Sequence, residues 1–203
     1  MIEQKMFGFM YESALRDATL QRAFEGEKKH LSKNQEAQEL VRAFTLDLLN
    51  GRIANEVFDK RFKELLQEVE NSFKRYLGNE QFTFGNAQKL VNMTIKYVYL
   101  TTYQQPDRRK YFTKCHCPMD SIIKAKVWKE LKNQEPLQNA ELENRRQELI
   151  TKIKMNKKEY DMGWSKVLST NKLQYELFQN AVCFLAELHG LTALEYDYVF
   201  WQD

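Results

Sequence analysis

The chain has 203 residues, 43% of them hydrophobic and 29% charged, with a formal net charge of +3. That balance supplies a globular core and argues against intrinsic disorder, and the length fits one domain or at most two small ones. Only 7 glycines and 3 prolines leave few turns, which disfavours a many-stranded β protein and favours long helices.

The hydrophobic pattern predicts the following elements in chain order. Residues 10–24 carry Met10, Ala14, Leu15, Ala18 and Phe24 at helical intervals, and Gly26 breaks the pattern. Ser32 with Gln35 reads as a capping box for a second helix, on which Ala37, Leu40, Val41, Phe44 and Leu48 form a stripe, with Asn50-Gly51 as its stop. From Ile53 to Leu77, Val57, Phe58, Phe62, Leu65, Leu66, Val69 and Phe73 mark a long amphipathic helix closed by Gly78, with Lys60, Glu64 and Glu68 on its polar face. Asn86 reads as the N-cap of a helix reaching Tyr103 that is apolar on most sides, as a buried central helix is.

Residues 107–118 read as a loop, followed by a helix from about Asp120 to Leu131 with Asp120 or Ser121 as its cap. A break at Asn133–Pro136 precedes residues 140–158, whose Glu, Arg, Gln and Lys content suits an exposed helix. Asn171–Leu188 is strongly helical and stops at Gly190, and the aromatic tail with Tyr196, Tyr198, Phe200 and Trp201 forms a short helix or an extended strip. The expected fold is all-α: a single domain over 1–203, a bundle of about seven or eight helices around a central helix at about 86–103.

No apolar run approaches the roughly 18 residues of a spanning helix, so no membrane association is expected. The N-terminus lacks a signal-peptide core, and three cysteines do not make a disulfide framework, which points to a reducing cytoplasm.

Charge is concentrated in one place. Residues 86–129 hold nine Lys or Arg against Asp107 and Asp120, a net of +7 within a chain whose total is +3. The same segment contains Tyr97, Tyr99, Tyr103, Tyr111, Phe112 and Trp128. Cations attract phosphate and exposed rings stack on bases, whereas core aromatics beside solvated lysines would give the same composition. On the 86–103 helix, Gln88, Asn92 and Lys96 are four apart and share a face, flanked by Lys89 and Tyr99 and continued by Tyr103. Such groups on an apolar helix either line a cleft for a polar ligand or bond internally. Arg108, Arg109 and Lys110 are placed to clamp a phosphate from the side, and His116 either bonds locally or faces the basic cleft.

Cys115-His116-Cys117 lacks both the Cys-x2-4-Cys spacing of structural zinc and a marked fourth ligand, so neither metal nor cofactor is expected. Adjacent Cys and His seldom orient as nucleophile and base.

Two stretches, Phe84-Gly85-Asn86-Ala87-Gln88-Lys89-Leu90-Val91-Asn92-Met93-Thr94-Ile95-Lys96-Tyr97 and Cys117-Pro118-Met119-Asp120-Ser121, resemble the signature of a family of small, functionally uncharacterised bacterial and phage proteins. Lys89 after Gly85, with Pro118-Met119-Asp120-Ser121 downstream, is also similar to helix-hairpin-helix DNA glycosylases. That resemblance implies Lys89 as a nucleophile attacking C1′ of a flipped nucleotide, with Asp120 as the assisting carboxylate. The hairpin's second glycine is absent and residues 104–116 read as an insertion.

The functional expectation is a binding protein for a phosphate-bearing partner, nucleic acid or nucleotide, contacted through Gln88, Lys89, Asn92, Lys96, Tyr99, Arg108, Arg109, Lys110 and His116. A nucleic-acid-processing enzyme using Lys89 and Asp120 is the alternative. A module that binds a protein partner through the 140–158 helix, without ligand chemistry, is the third reading.

Overall fold

The computed structural model describes residues 4–20, 24, 28–102 and 104–200, and among these the secondary structure is helical, with no strand beyond one isolated bridge between Leu168 and Asn171. The expected all-α class is what is found. No single described helix is long and apolar enough to cross a membrane. The chain divides into two compact units, Met1–Cys115 and His116–Asp203.

In the N-terminal unit, α1 (Gln4–Ala18) buries Phe7, Met10, Tyr11, Ala14, Leu15 and Ala18. It ends earlier than the periodicity to Phe24 implies, while Phe24 is still buried, edge-on to Phe82. Gly26, the expected breaker, lies outside the described residues. After one turn, α2 (Lys28–Leu31), comes α3 (Gln35–Leu49). Its cap is Asn34 and not Ser32: the Asn34 Oδ1 accepts from Ala37 N at 3.2 Å. An amide at Ncap reaches the same orphan donor that a hydroxyl would, so the shorter helix still starts capped. At the stop, Gly51 takes the left-handed conformation (φ +66°), while Asn50 does not.

The next helix, α4 (Asn55–Leu77), is closed by Gly78 at φ +65°. Its apolar stripe fills the core, with Phe44, Phe58 and Phe62 in mutual ring contact. Helix α5 (Phe84–Thr101) packs against α1, α3 and α4. It begins two residues before the expected cap. Thr83 is the true N-cap, and Asn86 sits at N3 of a reciprocal capping box, its side chain returning to the Thr83 N–H at 3.0 Å. Asn86 Nδ2 also donates to Ala18 O at 2.7 Å, tying the start of α5 to the end of α1. Every residue from Phe84 to Lys96 is buried, as a central helix requires.

The expected loop after α5 contains structure. Pro106 opens the short helix α6 (Pro106–Arg109), where its fixed φ and missing N–H suit the first helical position, and a 3-10 turn over Lys110–Phe112 follows. Tyr111 of that turn lies against Gly51.

In the C-terminal unit, α7 (Ser121–Asn133) starts where expected. Asp120 Oδ1 accepts from Ile122 N and Ile123 N, both at 2.9 Å. Helix α8 (Ala140–Met155), capped by Asn139, stops short of residue 158, and Asn156 separates it from α9 (Lys157–Asp161). Helix α10 (Leu173–Leu188) is followed by Gly190 at φ +66° and by α11 (Ala193–Phe200), so the tail is a helix over its described length. Trp201 lies outside the described residues. Helix α10 packs on α7, α8, α9 and α11 and is the centre of this unit.

Candidate functional site

The polar residues that stand out on α5 are all inside. Gln88 and Asn92 are 0% exposed, Lys89 is 6% and Lys96 is 8%, and Tyr99 is also buried. Lys89, Asn92, Lys96 and Tyr99 follow one another at spacings of three, four and three, and Gln88 lies four before Asn92. At about 100° per residue these five occupy roughly a third of the helix circumference. They therefore form one polar stripe on a helix whose remaining buried residues include Leu90, Val91, Ile95 and Val98. Within the stripe, Asn92 Nδ2 donates to Gln88 Oε1 at 3.2 Å. Tyr103, which continued the stripe in the sequence, lies outside the described residues.

The far end of the stripe connects to the basic turn. Arg109 Nε donates to Tyr99 Oη at 3.1 Å, and its guanidinium carbon lies 5.8 Å from the Tyr99 ring centroid. Phe112 packs in a T-shaped contact with Tyr99, with centroids 5.4 Å apart. Arg108 is half-buried, whereas Lys110 is exposed, its ammonium 5.4 Å from the Tyr111 ring. The structure thus brings Gln88, Lys89, Asn92, Lys96 and Tyr99 onto one helix face and joins Arg109 to that face. Lys110 is directed onto Tyr111.

Burying ammonium and amide groups costs free energy that only well-placed partners recover. A helix made for packing alone is served as well or better by apolar residues at such positions. The stripe sets two ammoniums and two amides on one arc of a buried helix face, joined at its end by the Arg109 guanidinium, in a region of lowered dielectric. There each charge-assisted bond to an anion is stronger than in water.

The other sequence candidates belong to the C-terminal unit. His116 Nδ1 and Tyr175 Oη are 2.8 Å apart, their rings tilted at 51°. The Cys117 backbone is clamped by Gln179, whose Oε1 accepts from Cys117 N at 3.1 Å and whose Nε2 donates to Cys117 O at 2.7 Å. Tyr175 and Gln179 are four apart on α10 and share a face, and that spacing was the available signal for them. The Asp120 carboxylate holds the first turn of α7, as an N-cap does.

Burial pushes the Cys115 thiol well above the usual range, which keeps it from acting as a thiolate. Lys124, in contrast, is shifted downward by burial. Its Nζ donates to Tyr160 O at 2.7 Å and Met162 O at 2.8 Å, carbonyls that also receive Gln174 Nε2. These donors satisfy the end of α9, a structural task. Among the described residues no group of three His, Cys, Asp or Glu side chains is arranged to hold a metal.

Two buried ionic contacts escaped the sequence. Glu70, on the buried side of α4, lies 2.9 Å from Lys74 Nζ, which also meets Glu80 at 2.5 Å. Arg146, in a helix read as exposed, is 4% exposed and donates to the carbonyls of Leu131 and Gln134 and to Glu143.

Compared with known proteins, the chain matches no family model, no curated protein and no solved structure.

Proposed function

We propose that the chain is a phosphate-recognising binding protein whose ligand is a nucleotide or a nucleic acid. Its central contacts are Lys89, Asn92 and Lys96 on α5, with Arg108 and Arg109 of α6 at the side. The observation that carries the reading is the stripe itself: two lysines and two amides buried on one arc of α5, extended by the Tyr99–Arg109 hydrogen bond to an arginine-bearing turn. Ammonium supplies charge, amides supply orientation, and a guanidinium matches two phosphate oxygens at once. Three free cysteines are consistent with the reducing cytoplasm in which such ligands occur.

A panel of labelled mononucleotides and single- and double-stranded oligonucleotides, read by fluorescence anisotropy, identifies the ligand class. Arg109→Gln is expected to weaken the binding partner at least tenfold while leaving thermal stability within a few degrees. Mononucleotide binding that survives both Arg109→Gln and Lys96→Gln unchanged removes the reading.

A further inference from the structure

The C-terminal unit carries a second cationic surface that the α5 stripe does not explain. Along α7, Ile122, Ala125, Lys129 and Lys132 follow at spacings of three, four and three, and all four are exposed. At the border of this stripe stands Trp128, half-buried. Its ring has two ammoniums over it: Lys132 Nζ lies 5.2 Å from the centroid, and Lys157 Nζ, arriving from α9, lies 5.4 Å away.

Two of the acids nearby are engaged, while Glu159 of α9 is half-buried and Glu135 is exposed. Glu130, the single carboxylate of α7, accepts from Tyr196 Oη and from His189 Nε2, each at 2.6 Å, so its charge is spent on α11 and the end of α10. Asp161 pairs with Lys157 within α9. Lys124 is turned inward onto carbonyls. The outward face of α7 is therefore cationic, with one large aromatic ring at its edge.

We propose that this α7–α9 face binds single-stranded nucleic acid, Trp128 stacking on a base while Lys129 and Lys132 meet the flanking phosphates. Unpaired bases present the π-face that an indole needs, and the sugar-phosphate chain supplies the negative charge that a paired, stacked duplex would supply without the base. The two cation–π contacts make the exchange local. A base arriving on the indole displaces an ammonium from the ring toward the adjoining phosphate, so the lysine trades one electrostatic partner for another. The proposal stands on this surface alone and does not rest on the α5 stripe.

The test is fluorescence anisotropy of labelled (dT)20 with the full chain at several salt concentrations. The Lys129→Gln/Lys132→Gln variant, altered only at exposed positions, is expected to weaken binding at least tenfold. It should also reduce the slope of log K against log salt by about 1.4, at about 0.7 per lost phosphate contact. Trp128→Ala is expected to cost about tenfold through lost stacking and Trp128→Phe less; the phenylalanine variant keeps the readout if the alanine variant fails to fold. The same lysine variant should leave mononucleotide binding at the α5 stripe unchanged, whereas Lys96→Gln should spare the (dT)20 contact made here. Three results overturn the proposal. One is no binding of (dT)20 at 50 mM salt. Another is binding indifferent to the lysine variant. The third is tighter binding to vesicles of phosphatidylserine and phosphatidylcholine than to (dT)20, with the same lysine dependence, which would make the face a membrane contact.

Discussion

At Gly51, backbone conformation and packing make the same demand. Its φ of +66° is one that L side chains rarely adopt, and a Cβ placed there would lie 2.5 Å from the Cε1 and Cζ atoms of Tyr111. The ring belongs to the turn after α6, so the glycine lets the end of α3 seat the chain that carries Arg109 and Lys110. Gly51→Ala should lose at least about 1–2 kcal/mol from the left-handed conformation alone. Part of the loss beyond that should disappear in a Tyr111→Ala background, as denaturant midpoints of the four proteins will show. Asn50-Gly51 was legible as a stop because the dipeptide favours turns. The contact with Tyr111, some sixty positions away, was not, since no local pattern encodes which ring arrives. The stripe on α5 divides the same way. Four-residue spacing put Gln88, Asn92 and Lys96 on one face, but their near-complete burial depends on the helices around them.

Elements were legible wherever periodicity was strong, and their ends were legible wherever the cap chemistry was unambiguous. Helices α4, α7 and α10 begin and end within about two residues of the pattern, stopping at Gly78 and Gly190 or starting at Asp120. The misplaced starts are those where two capping residues compete. Asn34 displaces Ser32, and Thr83 displaces Asn86, because Thr83 and Asn86 satisfy each other's backbone N–H while Asn86 is also needed at Ala18 O. Thr83→Ala should therefore cost about 1 kcal/mol, the usual worth of an N-cap hydroxyl, seen as a lower urea midpoint at constant m.

At the corner between α7 and α8, Glu143 accepts from Arg146, Gln147 and the Leu137 N–H, and these bonds, that of Arg146 foremost, hold its carboxyl down at about 2. The folded value lies below the ordinary one of about 4.3. The contribution is thus complete above the unfolded value and is lost as pH falls through the folded one. The protection of the Leu137 amide, the slowing of its exchange relative to an unstructured amide at the same pH, should fall between about pH 4 and pH 2, and Glu143→Gln should remove that dependence; a wild-type protection unchanged over this range would refute the assignment.

For the molecule as a whole, composition foretold an all-helical chain, and charge counting foretold that its cations gather in residues 86–129. Counting along a sequence does not say which of those cations face outward. The structure sorts them by burial: Lys89, Lys96 and Lys124 are buried, Arg108, Arg109 and Lys126 are half-buried, and Lys110, Lys114 and Lys129 are exposed. On the two proposals, the buried lysines would meet a small or inserted phosphate and the exposed ones a chain of them. The functional account therefore has two separable parts, the α5 stripe in the N-terminal unit and the α7–α9 face in the C-terminal unit, each with its own variants.

The stripe is the more consequential part. The most direct measurement is the phosphorus NMR signal of a nucleoside monophosphate titrated with the full chain and with Lys96→Gln, folding of the variant being checked by circular dichroism. The account predicts a phosphorus resonance that shifts or broadens with the natural chain and stays at its free position with the folded variant. An identical response in both proteins, or none with the natural chain under conditions where no oligonucleotide binds either, would contradict it.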